Sequence, residues 1–76
     1  MPHVEIKCYP GRTEEQKKIC AAKIAEDIAQ TLGCEIKSVS VAIKEVRQED
    51  WKKAVWDAQI VADRGFLYKE PGYTCD

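Results

Sequence analysis

The chain has 76 residues, with 12 basic and 13 acidic side chains and a formal net charge of -1 at pH 7. This length accommodates one domain, and the balanced charge argues against nucleic-acid or membrane-surface binding driven by net charge. No apolar run is long enough to cross a bilayer, and His3, Glu5 and Lys7 interrupt the region where a signal peptide would be apolar. We therefore predict one cytoplasmic domain over residues 1–76 that binds neither nucleic acid nor a membrane.

The cysteines do not follow a metal-binding or disulfide pattern. No Cys-x-x-Cys pair occurs among Cys8, Cys20, Cys34 and Cys75. With one histidine in the chain, a structural zinc site is not predicted. Without an export signal, a disulfide framework is not expected either. We interpret Cys8 as a small apolar side chain.

Pro2 is the first candidate for chemistry because it directly follows Met1. Methionine aminopeptidase removes Met when the next residue is small, which would give Pro2 a free secondary amine. An α-amino group titrates near pH 8, and burial beside a cation lowers its pKa toward the operating pH that proton-transfer catalysis requires. The alternative is that Pro2 takes no part in chemistry, as in many chains that begin Met-Pro.

Residues 3–9 predict the first strand. Val4, Ile6 and Cys8 alternate with polar residues, which is the period of a half-buried strand, and Pro10-Gly11 ends the pattern. His3 adjoins Pro2 but belongs to the opposite face, so we assign it no catalytic task.

A helix of about 19 residues is predicted next, because Thr13 and Gln16 have the spacing of a capping box and Gly33 is a typical C-cap. Its apolar stripe consists of Cys20, Ala21, Ile24, Ala25, Ile28 and Leu32. Ile19 lies off that stripe and is a candidate for a contact between subunits.

Residues 38–46 alternate again and predict a second strand, parallel to the first, in a β-α-β unit. The fold class is therefore α/β, with 2–47 as the core and 48–76 as a C-terminal extension placed at a subunit interface. Parallel sheets need both faces covered, and two strands alone are marginally stable. We therefore expect identical chains to complete a larger sheet as a homo-oligomer.

The remaining segment has weaker patterns. Residues 48–60 indicate one or two short helical turns, 66–68 a short strand or a strap over a neighbour, and 71–73 a turn. Trp51 could line an apolar pocket and keep water from an amine. The alternative for Trp51 is core or interface packing, which we prefer for Trp56.

Arg12 is the second candidate site residue, because a guanidinium binds a carboxylate through two parallel hydrogen bonds. At roughly 3.3 Å per residue, Arg12 is too far from Pro2 along one strand for direct contact. It would have to meet the Pro2 of a second copy or bind the far end of a long substrate. The alternative is that Arg12 is merely a solvated loop residue.

The chain resembles the 4-oxalocrotonate tautomerase family from Pro2 to Trp51. The resemblance rests on the N-terminal proline, the run GRTEEQK at 11–17, the strand SVSV at 38–41 and the aromatic Trp51. The tail, with WDA at 56–58 and KEPGY at 69–73, is similar to a dimeric bacterial branch of that family.

The resemblance implies a tautomerase fold assembled as dimers, which we favour, or as hexamers built from three dimers. It implies an isomerase in which Pro2, once Met1 is removed, moves a proton between carbon and oxygen of an enol. Arg12 would bind a substrate carboxylate or carbonyl, and Trp51 would supply a hydrophobic wall. It implies no metal and no organic cofactor.

The chain departs from the family at Ser40, where the best-studied members carry a second arginine. A hydroxyl donates one hydrogen bond without charge, and charge-assisted contacts are roughly twice as strong. A 2-hydroxy-dienoate or a phenylpyruvate-like 2-oxo acid therefore fits better than a dicarboxylate, with Ser40 as a substrate-binding candidate. Lys44 and Arg47 are candidates to replace the missing charge.

Two further hypotheses stay open at this point. A hydratase or dehalogenase would use Glu49 or Asp50 to activate water, as in related family members. A non-catalytic oligomeric interaction protein would keep the fold and leave Pro2 unreactive.

Overall fold

Strands β1 (His3–Cys8) and β2 (Ser40–Glu45) pair in parallel, in a register that sets His3 opposite Ser40 and Cys8 opposite Glu45. The computed structural model describes residues 1–76. The chain forms two compact units, Met1–Glu45 and Val46–Asp76. The first unit is a strand, a helix and a parallel strand, which confirms the predicted β-α-β arrangement.

Helix α1 (Glu14–Leu32) has both of its predicted ends. The Thr13 hydroxyl accepts from the Gln16 backbone N–H at 3.1 Å, and the Gln16 side-chain oxygen accepts from the Thr13 backbone N–H at 2.8 Å. Gly33 ends the helix with φ of 73°, a left-handed conformation that glycine adopts without a Cβ clash. The capping box and the C-cap predicted from the sequence are therefore confirmed.

The two faces of the sheet differ as the alternation predicts. One face carries Val4, Ile6, Val41 and Ile43, all half-buried, and α1 packs near it. The other face carries polar side chains at His3, Glu5, Lys7, Ser40 and Lys44. No residue of β1, α1 or β2 is fully buried, so this unit leaves apolar surface such as Ile19 and Leu32 exposed to solvent.

The second unit is more helical than the sequence pattern indicates. Helix α2 (Gln48–Trp51) runs directly into a π-helical segment at Lys52–Val61, and a 3₁₀ turn follows at Arg64–Phe66. The prediction of one or two short turns was therefore too short, and no strand forms at 66–68. Residues 71–73 contain a bend at Gly72.

Val55 and Trp56 of the π-helical segment are buried, which confirms the packing role preferred for Trp56. None of the helices combines the length and apolarity needed to cross a membrane. The placement of residues 48–76 at a subunit interface stays a prediction.

Candidate functional site

Pro2 lies directly before β1 and is held against the beginning of β2. The Ser40 backbone N–H donates to the Pro2 carbonyl oxygen at 3.2 Å, and Pro2 is half-buried, whereas Met1 is fully exposed. The bond continues the parallel ladder by one residue beyond the strand. Pro2 is therefore part of the ordered sheet end, while Met1 is accessible to an enzyme that would remove it.

Ser40 forms a side-chain hydrogen bond with His3 next to Pro2. The distance between His3 Nδ1 and Ser40 Oγ is 2.6 Å, and both residues are exposed. They are direct partners in the β1–β2 register. The structure therefore brings Pro2, His3 and Ser40 together at one end of the sheet. The sequence pattern gave the face of His3 but not its cross-strand partner, so this contact was missed.

Glu5 and Lys44 lie on the same polar face of the sheet. Lys44 Nζ is 2.6 Å from Glu5 Oε1. The Lys44 hydrogen bond and charge lower the pKa of Glu5 below its ordinary value of 4.5. Because the Lys44 ammonium is held by Glu5, it is a poor substitute for the cation missing at Ser40.

Arg12 lies beyond the other end of β1, after Gly11 with φ of 126°. Its guanidinium donates to the Tyr9 carbonyl oxygen at 3.3 Å, and its side chain is exposed. The bond orients the side chain and leaves most of the donors of the guanidinium for a ligand. The structure does not bring Arg12 and Pro2 of one chain together, because six residues of strand separate the two loop regions.

A cleft of about 160 Å³ lies beside Arg12, between the apolar sheet face and α1. It is lined by Ile6, Cys8, Arg12, Gln16, Lys17, Cys20 and Ile43. Lys17 Nζ lies 3.1 Å from a carboxylate oxygen of Glu45 and 3.5 Å from one of Glu14, and its pKa is raised mainly by the hydrogen bond to Glu45. Arg12 forms no ion pair, so it is the cation of this cleft that a ligand could neutralise.

Trp51 belongs to the second unit and is tied there to the C-terminal tail. The Trp51 indole N–H donates to the Tyr73 hydroxyl at 3.2 Å. Tyr73 also packs on Trp56, with ring centroids 5.4 Å apart and planes inclined by 44°. Tyr73 is the residue of this unit that sequence reasoning missed, since it is 22 positions away from Trp51 along the chain.

The acidic residues after β2, Glu49 and Asp50, form ion pairs with Arg47. Arg47 lies 3.5 Å from Glu49 and 3.1 Å from Asp50. The guanidinium of Arg47 is thus occupied by its own neighbours, which argues against its replacing the missing arginine. The same contacts oppose a water-activating role for either carboxylate, because each is already paired with the Arg47 guanidinium. No group of three or more His, Cys, Asp or Glu side chains is arranged to hold a metal ion.

Comparison with known proteins identifies relatives of this chain. The family model described as "Tautomerase enzyme" matches residues 2–55. The protein Tautomerase PptA of Enterobacter sp. (strain 638) is 49% identical over 75 residues, which cover 97% of this chain and 99% of that protein. Tautomerase PptA of Escherichia coli O157:H7 is 40% identical over 75 residues, again with 97% and 99% coverage.

Two solved structures share the fold. One comes from a study of the 4-oxalocrotonate tautomerase isozymes of Methylibium petroleiphilum, with a TM-score of 0.62, 34% identity and coverage of 66% of this chain and 81% of that one. The other is YwhB, a homologue of 4-oxalocrotonate tautomerase, with a TM-score of 0.64, 33% identity and coverage of 71% and 88%.

Proposed function

The chain belongs to the tautomerase family of isomerases, and we propose that it catalyses the enol–keto tautomerisation of a 2-hydroxy-dienoate or a phenylpyruvate-like 2-oxo acid. Pro2, freed by removal of Met1, acts as general base and then as general acid. Its nitrogen takes the proton from the enol hydroxyl, and the resulting ammonium delivers a proton to carbon. The proton count is unchanged, so no cofactor is needed for the step.

The observation that carries this proposal is the hydrogen bond from the Ser40 N–H to the Pro2 carbonyl oxygen. It fixes the residue that bears the amine while Met1 stays exposed. A base held at a fixed position avoids the entropic cost of ordering a free chain end when substrate binds.

Arg12 supports the proposal as the binding group for the substrate carboxylate. Since Pro2 and Arg12 lie at opposite ends of β1, we propose that the complete site contains Pro2 of one copy and Arg12 of another. The incomplete burial of β1, α1 and β2 supports such an assembly, because a homo-oligomer would cover the exposed apolar surface. We propose a dimer, with a hexamer as the alternative.

The assembly is tested by sedimentation at micromolar concentration. A dimer or hexamer supports a site shared between copies, and a monomer that turns over substrate contradicts it.

We also propose that Trp51 supplies the hydrophobic wall of the site. The enzyme is proposed to work in the cytoplasm.

The catalytic role of Pro2 is tested by following the absorbance decay of the phenylpyruvate enol. Replacing Pro2 with Ala leaves a more flexible primary amine, so kcat should fall on the order of 10²-fold. The matched control is Pro10→Ala, which removes an exposed loop proline. With this variant the phenylpyruvate enol should decay at the wild-type rate. Once the free cysteines have been blocked, treatment with 3-bromopyruvate should modify the Pro2 amine and abolish activity at the same rate. A Pro2→Ala variant with the wild-type rate contradicts the proposal.

A further inference from the structure

The hydrogen bond between His3 and Ser40 connects a titratable ring to a hydroxyl beside the proposed base. The Nδ1–Oγ distance is 2.6 Å, and the Ser40 backbone is bonded to Pro2 at 3.2 Å. Resting on the proposed function of this site, we propose that His3 is a positioning residue for Ser40, and that protonation of His3 turns the Ser40 hydroxyl toward the substrate carboxylate as a hydrogen-bond donor.

The direction of the bond depends on the charge and the tautomer of the ring. A protonated imidazole carries N–H groups on both nitrogens, so His3 Nδ1 must donate and Ser40 Oγ must accept. The hydroxyl proton is then available to a substrate oxygen. In the neutral ring with the proton on Nε2, Nδ1 accepts the hydroxyl proton instead, and the outward lone pairs of Oγ repel a carboxylate.

Protonation of His3 also adds a positive charge at the ring that is bonded to Ser40. Ser40 itself brings no charge, and hydrogen bonds to charged groups are about twice as strong as neutral ones. An imidazole side chain commonly gains its proton between about pH 5 and 8. Binding of a carboxylate substrate should therefore tighten as the pH falls through that range.

The other charged groups on this face do not account for such a change. Lys44 and Glu5 are paired at 2.6 Å, and the pKa of Glu5 is lowered, so Glu5 stays anionic across that range. Lys7 lies on the same polar face, on β1, and its contribution is measured separately with the variant Lys7→Gln. The free amine of Pro2 is the remaining titratable neighbour. Because it is present in the wild type and in His3→Gln alike, the difference between these two proteins reports on His3.

The chain has one histidine, so its ring signals in NMR report on His3 without ambiguity. The test combines an NMR pH titration of that ring with the KM for phenylpyruvate enol from pH 5 to 8. In the wild type, KM should be roughly 10-fold lower at pH 5 than at pH 8, in line with a charge-assisted hydrogen bond, and the midpoint should follow the ring titration.

The His3→Gln variant keeps hydrogen-bonding groups but cannot gain a charge. It should flatten the dependence of KM on pH. At low pH its KM should rise relative to the wild type by a larger factor than its kcat falls. Ser40→Ala should flatten it as well, and the double variant should be no worse than either single variant. Lys7→Gln changes a charge on the same face and should keep the wild-type slope. A wild-type slope in His3→Gln overturns the proposal.

Binding of cinnamate, an unreactive carboxylate, separates this inference from the proposed function. If the Kd of cinnamate follows the His3 titration in the wild type but not in His3→Gln, the switch exists even if no tautomerase activity is found. If Pro2-dependent tautomerase activity is present and neither KM nor Kd follows His3, the proposed function stands and the switch is refuted.

Discussion

The backbone N–H of Ser40 donates to the carbonyl oxygen of Pro2 at 3.2 Å. Through this bond the first residue of β2 holds the residue that precedes β1. The side chain of the same Ser40 lies 2.6 Å from His3. One serine is thus bonded through its backbone to the residue that bears the proposed base and through its side chain to His3.

Arg12 is expected to bind the substrate carboxylate. Arg12→Ala should lower kcat/KM for phenylpyruvate enol by roughly 10- to 100-fold, which corresponds to loss of a charge-assisted hydrogen bond of about 1.5–3 kcal/mol. Arg12→Lys keeps the charge but not the two-pronged geometry and should be intermediate. Phenylacetaldehyde enol, which has no carboxylate, serves as the control substrate. An equal loss on both substrates would show that Arg12 does not bind the carboxylate.

The Glu5–Lys44 pair should make stability depend on pH. Because the pKa of folded Glu5 lies below 4.5, its ionisation stabilises the fold above the unfolded pKa, and this contribution is lost as the pH falls through the folded pKa. Glu5→Gln should therefore be less resistant to urea than the wild type at pH 7, and the difference should shrink by pH 3.

Glu26→Gln is the control for that comparison, since exposed Glu26 forms no ion pair. Its resistance to urea at pH 7 should match that of the wild type. Added salt should reduce the Glu5→Gln effect, because the pair is solvent-accessible. A deficit of Glu5→Gln that is equal at pH 7 and pH 3 would rule out this ionic origin.

The bond between Trp51 and Tyr73 should couple the helical segment to the tail. Trp51→Phe and Tyr73→Phe each remove one partner and should each cost about 0.5–1.5 kcal/mol in urea unfolding at a fixed protein concentration. The double variant should cost less than the two losses added together, which is the signature of a direct interaction. Tyr68→Phe alters a fully exposed hydroxyl and should have no effect. Strict additivity would contradict the coupling.

The Thr13 cap should contribute to the stability of α1. Thr13→Ala removes the oxygen that accepts from the Gln16 N–H and should cost about 1 kcal/mol. For a chain of this size that loss lowers Tm by about 4–8 °C. Thr13→Ser keeps the accepting oxygen and should remain near the wild type. A Thr13→Ser loss as large as that of Thr13→Ala would mean that the cap is not the cause.

Helix α1 could be predicted with both ends because its signals are local: Thr13 and Gln16 are three residues apart, and Gly33 directly follows the helix. The faces of the strands could also be predicted, since alternation along one strand determines them. The partner of His3 could not, because it lies 37 positions away and the alternation of one strand does not give its register with another.

The second unit was less predictable for the same reason. Its apolar residues follow neither a helical nor a strand period closely, and a π-helical segment shifts the positions that share a face. The role of Tyr73 depends on contacts with Trp51 and Trp56, which no short sequence window contains. Pro2 and Arg12, by contrast, could be placed at opposite ends of one strand from their spacing alone.

The central claim is that the free amine of Pro2 is the base, and one side-by-side comparison tests it most directly. Intact mass should identify a preparation lacking Met1 and a second one retaining it, and both should be assayed for decay of the phenylpyruvate enol. Decay is expected only in the trimmed preparation, since retained Met1 makes the Pro2 nitrogen an amide. Equal decay rates in the two preparations would contradict it.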